Sequence, residues 1–263
     1  MIDFNKVYSS NAYGDFKVIK DLGIVNGKHR MRIKFLQTGY EKDVVDYAIE
    51  RGKVKDPYLP TIYGVGYIGE YTNIRSNLTL YKTWHSMMSR CYNQNDKDYN
   101  AYGNIGVRVC DRWHCFENYF DDVQKLPNYE LKVKYPSKYQ LDKDYLQLHI
   151  PKEQRIYSPD TCIWMSVYDN VTIRVIDDHK SQYYGVEQCG KNNDKYRVTY
   201  RDKRIGTFSD PIAAANAYNY FYNKYNLNTH PAATLLNDVP YMPPEEFFKY
   251  NTNPKKMCSI IKK

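Results

Sequence analysis

The sequence predicts an α+β chain assembled from small units, and three observations carry that prediction. Residues 1–75 contain two stretches of alternating apolar and polar residues, FKVIKDLG and KHRMRIKFLQTG, on either side of an Asn-Gly pair. This is the pattern of a β-hairpin with a tight turn. Residues 79–175 open with TLYKTWHSMMSRCYN, where Leu80, Trp84, Met87, Met88 and Cys91 recur at three- and four-residue spacing. Such spacing gives a helix one apolar face. Residues 181–228 hold three strand-like stretches, YYGVEQCG, KYRVTYRDK and RIGTFSD, followed by the alanine-rich PIAAANAYNYFYNKYN. Residues 229–263 are rich in proline and are expected to form an irregular tail, whose basic end would lie against a nucleic-acid backbone.

The elements follow in order. EKDVVDYAIERGKV reads as a short helix or a strand pair ending at Gly52. YLPTIYGVGYIGEY is superficially similar to the GIY-YIG nuclease signature, but that signature needs two tyrosine strands at wider spacing. The stretch is therefore a glycine-rich turn leading into the linker TNIRSNLT. AYGNIGVRVC gives turns and a short strand. DRWHCFENYFDDV gives a second helix, with Asp111 as its cap and Trp113, Phe116 and Phe120 as its buried stripe. LPNYELKVKYPSKYQ is an irregular basic connector, QLDKD a short strand, YLQLHIPKEQRIYSPD a long loop, TCIWM another strand, and SVYDNVTI a helical turn or short helix. In the last helix Pro211 suits the first turn, and Ala213, Ala214, Ala217 and Tyr218 suit close packing on a sheet.

With 42% hydrophobic residues the chain can bury a core, and its mean hydropathy of -0.74 leaves much polar surface. The 38 Lys and Arg outnumber 30 Asp and Glu, for a net charge of +8. That balance favours a polyanionic partner, nucleic acid being the commonest, although a basic surface alone accounts for it equally well. No stretch is apolar enough to span a membrane, and MIDFNKVYSS has no basic start followed by an apolar run. Six cysteines in a chain of this length do not make a disulfide scaffold. A cytoplasmic location is expected.

Two groups of residues carry candidate chemistry. Asp142 and Asp144 lie two apart on an expected strand, so their side chains share a face while Lys143 points the other way. A strand–loop–strand–helix arrangement would return Asn170 towards Asp142, and the pair would hold Mg2+ or Mn2+ for phosphodiester hydrolysis. The same residues also fit two surface aspartates and an asparagine near a helix start. Cys91, Cys110, Cys115 and Cys162, with His114 beside Cys115, fall in the same unit. Three of them, Cys91, Cys110 and Cys162, with either His114 or Cys115, would suit structural zinc, and they would equally serve as core residues. In the third unit Lys195, Arg197, Arg201, Lys203 and Arg204 cluster on the strands. Pointing away from the helix, they would reach bases or phosphates of double-stranded DNA, or simply solvent.

Residues 183–225 resemble the AP2 DNA-binding domain of plant transcription factors and phage homing endonucleases. The resemblance rests on Tyr184–Gly185–Val186, Tyr196–Arg197–Val198, Gly206–Thr207–Phe208–Ser209, and Ala213, Ala217 and Tyr218 of the helix. It implies an AP2-like three-stranded sheet packed on one helix and lying in the major groove, with Arg197, Arg201 and Arg204 as contacts. The family's opening arginine is replaced here by Tyr183 or Tyr184.

The segment YKTWHSMMSRCYNQNDKDYNAYGNIGVRVCDRWHCFENYFDD, with LDKDYL and YSPDTCIWMSVYDN after it, resembles phage-encoded proteins related to HNH homing endonucleases. The resemblance implies a degenerate HNH-like ββα-metal unit. Asp142 stands at the metal-ligand aspartate, Lys143 at the catalytic histidine, Thr161 at the asparagine that orients it, and Asn170 at the last ligand. A lysine is a poor general base, and His149 on the long loop is the substitute the sequence offers. Three functions are therefore expected in turn: a metal-dependent DNA endonuclease tethered to a DNA reader, a catalytically inactive phage DNA-binding or accessory protein, and a structural or protein-interaction protein.

Overall fold

The structure is a computed structural model and describes residues 2–71, 73–177, 182–201, 203–226 and 234–253. In chain order its elements are β1 (Val7–Ser9), β2 (Asp15–Val25), β3 (Lys28–Phe35), β4 (Glu41–Val45), α1 (Asp46–Glu50), α2 (Leu78–Tyr92), β5 (Arg108–Val109), α3 (Phe116–Val123) and α4 (Tyr129–Lys134). There follow β6 (Tyr139–Asp142), β7 (Ile156–Tyr157), β8 (Ile163–Ser166), α5 (Val167–Asp177), β9 (Val186–Cys189), β10 (Lys195–Tyr200), β11 (Lys203–Phe208), α6 (Pro211–Tyr225) and α7 (Pro244–Phe247). The chain divides into two compact units, residues 1–122 with 152–158, and residues 123–151 with 159–263. No helix among the described residues is long and apolar enough to cross a membrane.

In the first unit β1 to β4 form an antiparallel sheet in sequence order. Asn26 and Gly27 both have positive φ, at 49° and 70°, as the tight hairpin turn between β2 and β3 requires. Alternate residues Phe16, Val18, Met31, Ile33 and Phe35 bury one sheet face. The ambiguous stretch after Gly39 resolves as β4 running into α1. The spacing of α2 is realised: Leu80, Trp84, Met87, Met88 and Cys91 are all buried, and the Trp84 indole donates to the Trp113 carbonyl at 2.7 Å. The single helix expected from Asp111 instead splits into a 3-10 turn over Asp111–His114 and then α3. Trp113 and Phe116 are buried as expected, but Tyr119 rather than Phe120 completes the stripe.

The main core cluster of the second unit draws on residues far apart in the chain. β6 and β8 pair antiparallel, with Asp142 opposite Ile163, and α5 follows directly. β9, β10 and β11 form an antiparallel sheet in the order β11-β10-β9. Helix α6 lies on that sheet through fully buried Ala213, Ala214 and Ala217. The Asp210 carboxylate caps α6 by accepting from the Ala213 amide at 2.7 Å, and Pro211 takes the first turn. Ile163 and Met165 of β8, together with Leu235 and Phe247 of the expected tail, enter the same core. A tail reading therefore fails for residues 234–253. The buried Asn237 ties them in: its side-chain oxygen accepts from the Tyr184 amide at 2.6 Å, and its own amide N–H donates to the Tyr184 carbonyl at 3.2 Å. The basic end of the tail lies outside the described residues. The connector expected to be irregular contains α4, whose Lys132 ammonium donates to the Pro136 and Tyr139 carbonyls.

Gly185 occupies a position in this packing where a side chain does not fit. Its φ is +65°, and a Cβ there would strike the Tyr218 ring and the Thr199 carbonyl. Gly185→Ala is expected to cost about 3 kcal/mol through combined backbone strain and overpacking. Urea unfolding measures it, and a loss under about 0.5 kcal/mol would show that the Tyr218 ring steps aside freely.

Candidate functional site

The outward face of the β9–β11 sheet gathers the predicted cations. Along β10, Val198 and Tyr200 are buried towards α6 while Lys195 and Thr199 are exposed. This is the period-two alternation of a half-buried strand. Arg197 shares the outward side and sits between Glu187 on β9 and Thr207 on β11. A register shift after Val198 sets Arg204 opposite Thr199, so Lys195, Arg197 and Arg204 share one face. Lys203 pairs instead with Tyr200 and stands exposed at the end of the sheet. Arg201 leaves the strand in a left-handed conformation, φ 48°, with its guanidinium 5.1 Å from the Tyr200 ring centroid.

Local partners orient two of these groups. Arg197 donates to the Glu187 carboxylate at 3.2 Å, and Arg204 donates to the Thr207 hydroxyl at 2.5 Å. The Arg197–Glu187 pair is surface-exposed on both sides. Such pairs contribute roughly 0–1 kcal/mol, so an anion of higher charge density displaces the carboxylate at small cost. Residue selection by charge alone missed Thr199, exposed on the same face, and Thr207, whose buried hydroxyl accepts from Arg204. The alternation of β10 and its pairing with β11 were the signals that would have found them.

The second candidate group has the expected chain order of strand, strand and helix, but its side chains do other work. β6 ends at Asp142, so Lys143 and Asp144 stand in a turn rather than on alternating strand faces. Asp142 is buried, and one carboxylate oxygen accepts from the amides of Asp144 at 3.0 Å and Tyr145 at 2.9 Å. This is a side-chain-capped turn. The buried Lys143 ammonium contacts the Asp144 carboxylate at 2.5 Å, and the Lys143 carbonyl accepts from the Gln147 side chain at 2.6 Å. Asn170 is buried in the first turn of α5 beside Asp169, which accepts from the Ser166 hydroxyl at 2.7 Å. His149 is exposed. Thr161 lies beside Cys162, its hydroxyl 4.0 Å from the thiol sulfur.

Among the described residues no group of three or more His, Cys, Asp or Glu is placed to hold a metal ion. That finding overturns both metal expectations. For Mg2+ or Mn2+, one Asp142 oxygen accepts the turn amides and Asp144 is paired with Lys143. For zinc, the described cysteines and His114 form no such group. His114 lies 3.0 Å from the Tyr92 hydroxyl through Nε2. Burial pushes the Cys110 and Cys115 thiols above their ordinary range. The described cysteines carry no disulfide, and Cys91, Cys115 and Cys162 are buried core residues.

The Asp142 carboxyl has a measurable consequence. Burial first, and then the neighbouring Asp144 charge, push it up from 3.8 to about 6, against the two amide hydrogen bonds that lower it. A carboxyl raised on folding binds more protons in the folded state between those two values. Its ionisation therefore costs stability, fully above about pH 6 and not at all below about pH 4. Asp142→Asn keeps an oxygen for both amides and removes the charge. Urea titrations should show the variant more stable by up to about 3 kcal/mol at pH 8 and equal to the parent at pH 4. A difference independent of pH would contradict the assignment.

Comparison of the chain with protein-family models, with curated proteins and with solved structures finds no match to it.

Proposed function

We propose that the chain is a catalytically inactive DNA-binding protein that lays the outward face of the β9–β11 sheet in a groove of duplex DNA. One observation carries the proposal: Lys195, Arg197 and Arg204 share a sheet face whose opposite side is closed by α6, with Lys203 and Arg201 at its margin. A sheet backed by one helix presents its free face as a rigid ribbon, and ribbons of two or three strands fit the major groove. The resemblance of residues 183–225 to the AP2 domain points the same way, and so does the net charge of +8. The arginines would fix register on phosphates or read base edges, with the exposed hydroxyl of Thr199 beside them. The ββα segment would serve this protein as part of the core beneath the reader. The oxygen donor set that metal-assisted hydrolysis needs is not found among the described residues, so no bond cleavage is assigned to it.

The test uses the whole chain, because Ile163, Met165, Leu235 and Phe247 complete the core under the sheet. Gel shifts with duplex DNA should weaken steeply as salt rises. Replacing Arg197, Arg201 and Arg204 together by Ala should lower affinity at least tenfold and reduce the salt slope by about 1 for each phosphate that is no longer neutralised. Supercoiled plasmid should remain uncut with Mg2+ or Mn2+. Unchanged binding by the triple variant would place the interface elsewhere, and cutting by the parent chain would overturn the non-catalytic reading.

A further inference from the structure

A groove of about 880 Å3 runs along the second unit between α5 and the start of the β9–β10 ladder. It reaches the outward face of the sheet at Thr199 and Arg201, so it opens beside the proposed duplex-binding surface. Its α5 wall carries Val167, Tyr168 and Val171, large apolar side chains left 39%, 42% and 53% exposed. Core-facing positions of the same helix, Asp169, Asn170 and Ile173, are buried, so the exposed stripe is a distinct face with no partner described on it. The groove also holds two cations, Lys138 and Arg201, against one carboxylate, Glu187. That carboxylate already accepts from Arg197. The volume is in the range that encloses a single drug-sized ligand.

An apolar wall with one projecting aromatic ring, facing two cations, matches the two chemistries of a nucleotide, a flat base and an anionic phosphate. A duplex lying on the adjacent sheet would present a fully paired stack, and its bases cannot reach a groove at the side. An unpaired nucleotide can swing out of the stack at small cost. We propose that this groove holds one unpaired nucleotide of a bound duplex, its base against Tyr168 and its phosphate near Lys138 and Arg201. The protein then prefers duplexes carrying a bulged or mismatched nucleotide over perfect ones. The inference rests on the DNA-binding reading above, and the experiment separates the two.

The full chain is titrated with a perfect duplex and with the same duplex carrying one bulged 2-aminopurine nucleotide, at one salt concentration. The bulged duplex should bind about tenfold more tightly, and 2-aminopurine fluorescence should be quenched on binding. Tyr168→Ala should abolish the preference and the quenching while leaving affinity for the perfect duplex unchanged. Tyr168→Phe, which keeps the ring, should retain both. Since Tyr168 is well exposed, these variants fold, and thermal melts verify it. Equal affinity for the two duplexes, or a preference that survives Tyr168→Ala, overturns the groove assignment and leaves the sheet interface standing. Binding of neither duplex overturns both. Displacement of the bulged duplex by an equal concentration of free deoxyadenosine monophosphate would give the groove to a soluble nucleotide and overturn the proposal.

Discussion

Ala213, Ala214 and Ala217 have side chains too small to hold α6 away from the sheet, and the second unit is organised around that close approach. Val198 and Ile205 meet the helix from the strands, and Tyr218 and Tyr222 lie with their ring centroids 6.0 Å from that of Tyr200. Tyr218 is so enclosed that burial pushes its hydroxyl above the ordinary phenol range. The tightness leaves Gly185 as the only residue type its position accepts. It also decides the outer surface. With one sheet face sealed by the helix, period two sends Lys195, Arg197 and Thr199 to the other. The cationic face is thus a direct geometric consequence of the small-residue face of α6.

The same core absorbs what first looks like separate machinery. β8 contributes Ile163 and Met165 to it, which fixes β6 through the pairing of Asp142 with Ile163 and places α5 immediately after. Within that frame the aspartate and lysine have local partners. Asp142 closes the turn after β6, Lys143 meets Asp144, and Gln147 returns to the Lys143 carbonyl. The strand–strand–helix order is thus present without a group of three or more His, Cys, Asp or Glu placed for a metal ion among the described residues.

Much of the architecture was legible because it rests on short-range rules. The Asn-Gly turn, the stripe of α2 and the cap and first turn of α6 each depend on neighbours within a few residues. The cations of the β9–β11 sheet were legible as a cluster, and their sharing of a face followed from alternation. Other features depend on distant partners. Leu235 and Phe247 sit in a proline-rich stretch without periodicity, and only the buried Asn237 and the space beside α6 make them core. The Asp142–Asp144 spacing suits a strand, but a short polar side chain can instead close a turn on its own backbone, and here it does. The cysteines share a stretch of sequence, yet among the described residues they form no metal-holding group and Cys91, Cys115 and Cys162 are buried, which no spacing in the sequence reveals.

The central claim is that the outward face of the β9–β11 sheet meets DNA. Backbone amide shifts of the isotopically labelled chain, followed by NMR during titration with a short duplex, test it most directly. The account predicts that the largest changes fall on β10 and β11, around Arg197, Thr199, Arg204 and Thr207, with the amides of β2 and β3 unmoved. Changes concentrated on β2 and β3, with β10 and β11 unaffected, would contradict it.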